Sequence, residues 1–221
     1  MDGTGRLFDR FLGHLPPSLE PIKVSYEAST NQDYESLLQH TLRWHSTDAP
    51  FVVISESFSG PIAIRLAAKS PSCRGLILAA SFARCPLMLP LWTSRLLGIV
   101  RHDLIPTALI EAMLLNGDTN ASLANELKQV IDSVPPVIIQ ERMKAVIGVN
   151  AIQEVRDLCV PVLYLQATHD RLVGQRAVTD IKQSARDATV VQIAAPHMIL
   201  QTQPLACAAS ISAWLRKNES P

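Results

Sequence analysis

Three short stretches of this chain are close to continuously apolar: Phe51-Val52-Val53-Ile54, Leu76-Ile77-Leu78-Ala79-Ala80 and Val162-Leu163-Tyr164-Leu165. A strand with one wet face alternates apolar and polar residues. A strand that is apolar at every position must be covered on both faces, and parallel sheets wrapped by helices bury strands in that way. The flanking residues extend these stretches to strands over Pro50–Ser55, Gly75–Phe82 and Pro161–Ala167. Ile22–Glu27 and Thr189–Ala194 add two more, so about five strands are expected.

Helical patterns alternate with the strands. Tyr34, Leu37, Leu38, Thr41 and Leu42 form one stripe at helical spacing, Ser59 to Lys69 is rich in Ala, Ile and Leu, and Leu205, Ala208, Ile211 and Leu215 mark a last helix. Strand alternating with helix predicts an α/β fold with a mostly parallel sheet. The alternation stops after Cys85. Prolines stand at 86, 90, 106, 135 and 136, and two helical stripes follow: Leu123, Leu127, Val130, Ile131 and Val134, then Ile139, Met143, Val146 and Ile147. The expected organisation is a core of residues 1–85 and 158–221 with a helical cap, 86–157, inserted between two strands.

Composition narrows the function classes. A chain of 221 residues with 48% hydrophobic content can bury a sizeable core. Twenty basic and 20 acidic side chains give a net charge of zero, which argues against a nucleic-acid partner. Cys73, Cys85, Cys159 and Cys207 form neither a CxxC pair nor a Cys/His cluster, so no zinc site or disulfide framework is expected, and a reducing, cytoplasmic setting follows. The start, Met1-Asp2-Gly3-Thr4-Gly5, lacks the pattern of a signal peptide. Residues 188 to 215 contain no Asp, Glu, Lys or Arg, but Pro196, His197, Pro204 and three glutamines divide them into strand, loop and helix rather than a membrane span. No phosphate-cradling loop or metal cluster stands out, so neither a metal nor another cofactor is expected.

The chemistry concentrates in Ser55-Glu56-Ser57-Phe58-Ser59-Gly60. An apolar strand, then small-x-Ser-x-small, then a helix is the pattern of a nucleophile elbow, with serine in place of both flanking glycines. The central serine must sit on a sharp strand-to-helix turn, and its neighbours two residues away must be small because strand and helix pass close together. The same six residues taken alone also fit a serine-rich βα loop without catalytic importance. An activated serine needs a base, and the base needs an orienting acid. Asp170 follows directly on the strand Pro161–Ala167, and His197 on the strand Thr189–Ala194. Both stand where parallel strands end, which is where open α/β sheets place their sites. Asp170 alone would read as a helix cap, and His197 as one of six histidines. His169 reads as solvent-facing, and His14, His40, His45 and His102 fall in helices or at helix ends.

With the order Ser57, Asp170, His197, the sequence resembles the α/β-hydrolase superfamily. The matching segments are Val53 to Gly60, Pro161 through Val173, and Ala195-Pro196-His197 through Pro204. The resemblance implies a helical cap and a Ser-His-Asp mechanism: Ser57 attacks, His197 shuttles the proton and Asp170 holds the imidazole. It implies an oxyanion hole made by the backbone N–H of Phe58, with a second donor near Met1 on the loop Met1–Gly5. It also implies three earlier strands that this chain lacks. The sequence is therefore expected to be a fragment, or to carry a misassigned start, short by roughly 40 residues or more.

The expected activity is cleavage of a small apolar carboxylic ester or thioester through an acyl-enzyme. The cap residues Leu87, Met88, Leu89, Leu91, Trp92, Leu96, Leu97, Met113 and Leu114 suit an apolar group, or simply pack the cap onto the sheet. Two alternatives stay open: an acyltransferase with the same triad, and a non-catalytic binding protein that kept the elbow.

Overall fold

A computed structural model describes residues 3–26, 31–44, 49–86, 107–116 and 121–218 of the chain. After a short 3-10 turn at Arg6–Phe8 the elements are α1 (Asp9–Leu12), α2 (Tyr34–Trp44), β1 (Phe51–Glu56), α3 (Gly60–Lys69), β2 (Cys73–Ala79), α4 (Thr107–Leu114), α5 (Ala121–Asp132) and α6 (Pro136–Gly148). Then come α7 (Ile152–Asp157), β3 (Val162–Ala167), α8 (Gln175–Ser184), β4 (Ala188–Ile193), α9 (Ile199–Thr202) and α10 (Pro204–Asn218). Strand alternating with helix has produced an α/β fold. Among the described residues the sheet has four strands in the order β1-β2-β3-β4, all parallel.

The continuous apolar runs are explained by cover on both faces. Ile77 and Ala79 of β2, with Leu163 and Leu165 of β3, pack against Phe11, Ile199, Leu200, Ile211, Trp214 and Leu215. Their sequence neighbours Leu76, Leu78, Val162 and Tyr164 pack on the other side, against Ile64, Val155, Leu158, Val178 and Ile181. The helices α1, α9 and α10 therefore cover one face, and α3, α7 and α8 the other. Leu76, Ile77, Leu78, Ala79, Leu163 and Leu165 are completely buried. At about 25 cal/mol per Å² of apolar surface, strands buried this fully dominate the stability of the sheet.

The run Ile22–Glu27 is not a strand. Residues 22–26 adopt no regular structure, and Glu27 lies outside the described residues. Ile22 is 72% exposed, so the apolar alternation of Ile22, Val24 and Tyr26 has no continuous face to cover it. The backbone there bonds elsewhere: Tyr26 N–H donates to the Gly3 carbonyl at 2.7 Å, and the Ser25 carbonyl lies 2.9 Å from His40 Nε2 on α2. Asp33 caps α2, accepting Ser36 N–H at 2.8 Å, and Leu37 and Leu38 are buried against α3 through Ile62 and Leu66.

The helices between β2 and β3 divide by what they pack on. Leu115, Leu123, Leu127 and Val130, from the ends and faces of α4 and α5, form a cluster with Leu7 and with Met198, the residue after His197. Helix α6 sends Val146 to the cluster around Tyr34 and Phe58. Helix α7 joins the cover of the sheet through Val155. Leu87, Met88, Leu89, Leu91, Trp92, Leu96 and Leu97 lie outside the described residues. No helix among the described residues is long and apolar enough to cross a membrane.

Candidate active site

Strand β1 ends at Glu56, and Ser57 follows at once in a 3-10 turn (Ser57–Ser59) that runs into α3. Ser57 has φ +54°, a left-handed conformation that a non-glycine residue adopts at a cost of about 1–3 kcal/mol. Its surroundings fix that conformation. The Ser81 hydroxyl, just past the end of β2, donates to the Ser57 carbonyl at 2.7 Å. The Ser81 carbonyl in turn accepts from the Tyr164 hydroxyl of β3 at 2.6 Å. Burial pushes the Tyr164 phenol well above its ordinary value, with Asp170 adding to the shift, so this donor stays protonated.

The small residues of the elbow do different work. Ser55 is buried beneath the turn. Ser59 ties the turn to itself, its hydroxyl donating to the Glu56 carbonyl at 2.9 Å. The tightest approach is one residue further on: a Cβ on Gly60 would overlap the Ser81 hydroxyl. Size selection therefore acts on Gly60 more than on Ser59.

The ends of β1, β3 and β4 bring three side chains together. Ser57 Oγ lies 2.7 Å from His197 Nε2, and His197 Nδ1 lies 2.8 Å from Asp170 Oδ2. Both side chains of the imidazole–carboxylate pair are almost completely buried, at 4% and 3% exposure, which strengthens their interaction and excludes water from it. The other oxygen of Asp170 accepts Leu172 N–H at 2.7 Å and Val173 N–H at 3.0 Å. These bonds leave Oδ2 for His197. The two loops are also stitched by their backbones, since Thr168 N–H donates to the Ile193 carbonyl and His169 N–H to the Ala195 carbonyl, each at 3.0 Å. Such an arrangement can deprotonate a hydroxyl and stabilise the imidazolium that forms.

Phe58 stands in the first turn of the helix, whose N–H groups have no intrahelical acceptor. Its ring stacks on Tyr34 with centroids 5.0 Å apart, and the Tyr34 hydroxyl donates to its carbonyl at 3.1 Å, so its peptide is held from two sides. Met1 lies outside the described residues. In the adjoining loop Gly3 and Gly5 both have φ +72°, and the Arg142 guanidinium of α6 packs so close over Gly3 that a Cβ there would overlap it. His169 and His14 are exposed, and His40 faces the Ser25 carbonyl. His45 and His102 lie outside the described residues. No group of three His, Cys, Asp or Glu side chains converges as metal ligands among the described residues.

Glu56 carries no signal in the sequence beyond its place in the elbow. It is partly buried, with one carboxylate oxygen accepting Leu200 N–H at 3.0 Å and the other accepting Gln201 Nε2 at 2.9 Å. Desolvation raises its carboxyl above the usual range, opposed by the Leu200 N–H, the Gln201 amide and the nearby His197. Sequence carried no signal for these contacts, which join residues 144 and 145 positions apart.

Comparison with known proteins fixes the class. The sequence profile of the serine aminopeptidase, S33, family matches residues 23–200, most of the chain. The chain belongs to that family, a family of α/β-hydrolases. Solved structures agree on the fold. A hydrolase from Oleispira antarctica superposes with a TM-score of 0.85 at 12% identity, over 98% of this chain and 88% of that one. The enol-lactonase from Burkholderia xenovorans LB400 gives 0.82 at 15% identity, over 97% and 88%. A thermophilic esterase from Thermogutta terrifontis gives 0.70 at 17% identity, over 98% and 87%. No curated protein sequence matches the chain.

Proposed function

We propose that this protein is a serine hydrolase that cleaves a small apolar carboxylic ester or thioester through an acyl-enzyme. Ser57 is the nucleophile, His197 the general base and then general acid, and Asp170 the group that orients and stabilises the imidazole. The observation that carries this reading is the unbroken chain of hydrogen bonds from Ser57 Oγ through His197 to Asp170, at 2.7 and 2.8 Å.

The reaction runs in two halves. His197 Nε2 accepts the Ser57 proton as Oγ attacks the acyl carbon, and the Phe58 N–H stabilises the oxyanion. Collapse expels the alcohol or thiol, which takes the proton from His197. Water, activated by the same imidazole, then releases the acid. Supplying one oxyanion donor is worth roughly 3–4 kcal/mol in the transition state. Helices α4 and α5 act as a lid: the apolar cluster of Leu115, Leu123 and Leu127 against Met198 sets them beside the base, in keeping with an apolar acyl group. The thiols of Cys73, Cys159 and Cys207 are free, in keeping with a reducing, cytoplasmic setting.

The test is a fluorophosphonate probe on the purified chain, beside p-nitrophenyl esters of increasing chain length and an amino-acid p-nitroanilide. The parent is expected to be labelled and Ser57→Ala is not. Asp170→Asn keeps an acceptor for the Leu172 and Val173 N–H groups and should lower kcat by roughly 10⁴. A folded parent that neither takes the probe nor turns over any ester would refute the reading. Turnover of the anilide in preference to the esters would make it a peptidase instead.

A further inference from the structure

We propose that Glu56 is a positioning residue that holds the base in register with the nucleophile. The inference rests on the hydrolase reading above. Glu56 is the residue before Ser57, so its backbone shares the rigid end of β1. Its carboxylate reaches across to the segment that carries His197. One oxygen accepts Leu200 N–H at 3.0 Å, and the other the Gln201 side-chain amide at 2.9 Å. Leu200 and Gln201 lie in α9, which begins two residues after His197, and the His197 carbonyl accepts Ile199 N–H at 2.9 Å. The path from Glu56 to the imidazole is therefore short and bonded at each end.

The chemistry explains the need for such a tether. In the resting site Ser57 and His197 hold each other through Oγ and Nε2. That bond cannot persist once Oγ has joined the acyl carbon and Nε2 has turned its proton to the leaving group. Asp170 still anchors the ring to β3, but nothing reacting then anchors it to β1. Glu56 supplies the missing reference, because none of its acceptor contacts, with Leu200 N–H, with the Gln201 amide and within the elbow capping box, involves a reacting atom. Displacements of about an ångström in such sites cost on the order of 10²-fold in rate.

Gln201 provides the means to separate tether from charge. It is 4% exposed, and its Oε1 has no hydrogen-bond partner. In Glu56→Gln one oxygen still accepts Leu200 N–H, while the new amide can donate to Gln201 Oε1 after that side chain rotates by half a turn. Both links survive and the negative charge is lost. Glu56→Ala loses both links.

The experiment compares the parent, Glu56→Ala, Glu56→Gln and Gln201→Ala, each assayed well below its own thermal midpoint. Fluorophosphonate labelling rates and p-nitrophenyl butyrate kinetics are the readouts. Glu56→Ala is expected to lose roughly 10²-fold in kcat with KM nearly unchanged. Glu56→Gln restores kcat to within a few-fold of the parent, and Gln201→Ala falls between the two. A general loss of folded protein would not show that split or that rescue. If Glu56→Ala does not fold, Glu56→Gln and Gln201→Ala carry the test: parent-like kcat in the first and a reduced kcat in the second support the tether. Labelling of Glu56→Ala at the parent rate overturns the inference and leaves the hydrolase reading intact. A Glu56→Gln variant as slow as Glu56→Ala overturns it in favour of charge. An unlabelled parent fails the hydrolase reading, and this inference with it.

Discussion

Substituting Gly60 by alanine tests how the elbow is held in its unfavourable conformation. A Cβ there would overlap the Ser81 hydroxyl, and would lie 3.0 Å from Ser81 Cβ and 3.2 Å from the Phe82 carbonyl. The hydroxyl is the donor that fixes the Ser57 carbonyl at 2.7 Å, so it cannot swing away without releasing that bond. Two costs combine. Overpacking a tight interior contact costs about 1–3 kcal/mol, and losing a buried hydrogen bond about 1 kcal/mol. Gly60→Ala is therefore expected to lose roughly 2–4 kcal/mol in urea unfolding, and to take the fluorophosphonate probe more slowly because Ser57 is no longer held. Adding Ser81→Ala removes the overlap but leaves the two close contacts. The double variant should regain part of the stability lost in Gly60→Ala, giving a favourable coupling of about 1 kcal/mol or more in a double-mutant cycle. A Gly60→Ala variant within about 0.5 kcal/mol of the parent, or a double variant that is strictly additive, would refute the reasoning.

Two further outcomes concern titration and thiol chemistry. Burial raises Tyr26 to about 12 and Cys207 to about 12, the latter aided by the Glu56 charge, from ordinary values of 10.0 and 9.0. Groups raised in the folded state contribute fully below their unfolded values and lose that contribution as pH rises, so stability should fall from about pH 9 upward. Cys207 accounts for about 2 kcal/mol of the loss at about pH 10.5, and Cys207→Ala should flatten that part of the curve; an unchanged slope would contradict it. Iodoacetamide at neutral pH should alkylate exposed Cys159 first and spare buried Cys73 and Cys207 until the chain unfolds, as peptide mapping would show.

Two of the four strands legible in the sequence, β2 and β3, owe that to symmetrical burial. Leu76 to Ala79 and Val162 to Leu165 alternate between two covered faces, so every position had to be apolar. Ile22–Glu27 reads as a strand because its apolar alternation is equally satisfied by an extended segment that bonds to a loop and a helix; those bonds and the 72% exposure of Ile22 mark the difference. The convergence of Ser57, Asp170 and His197 could be anticipated because each lies within a few residues of the end of a strand, and strand ends in a parallel sheet share one edge. Glu56, Ser81 and Gln201 could not. Their partners lie 24 to 145 residues away, and an acid, a hydroxyl and an amide at these positions carry no pattern until the backbone has placed them.

The sheet runs in chain order, and its last strand, β4, delivers the imidazole. The Ser57 hydroxyl and the His197 imidazole, 140 residues apart, meet only when the four described strands have docked. Non-local pairings of this kind are made late and slowly. On the proposed mechanism, a half-assembled chain would present an inert alcohol, and reactivity would switch on as the crossover to β4 closes. Acquisition of probe reactivity during refolding would then be a clock for the docking of β4.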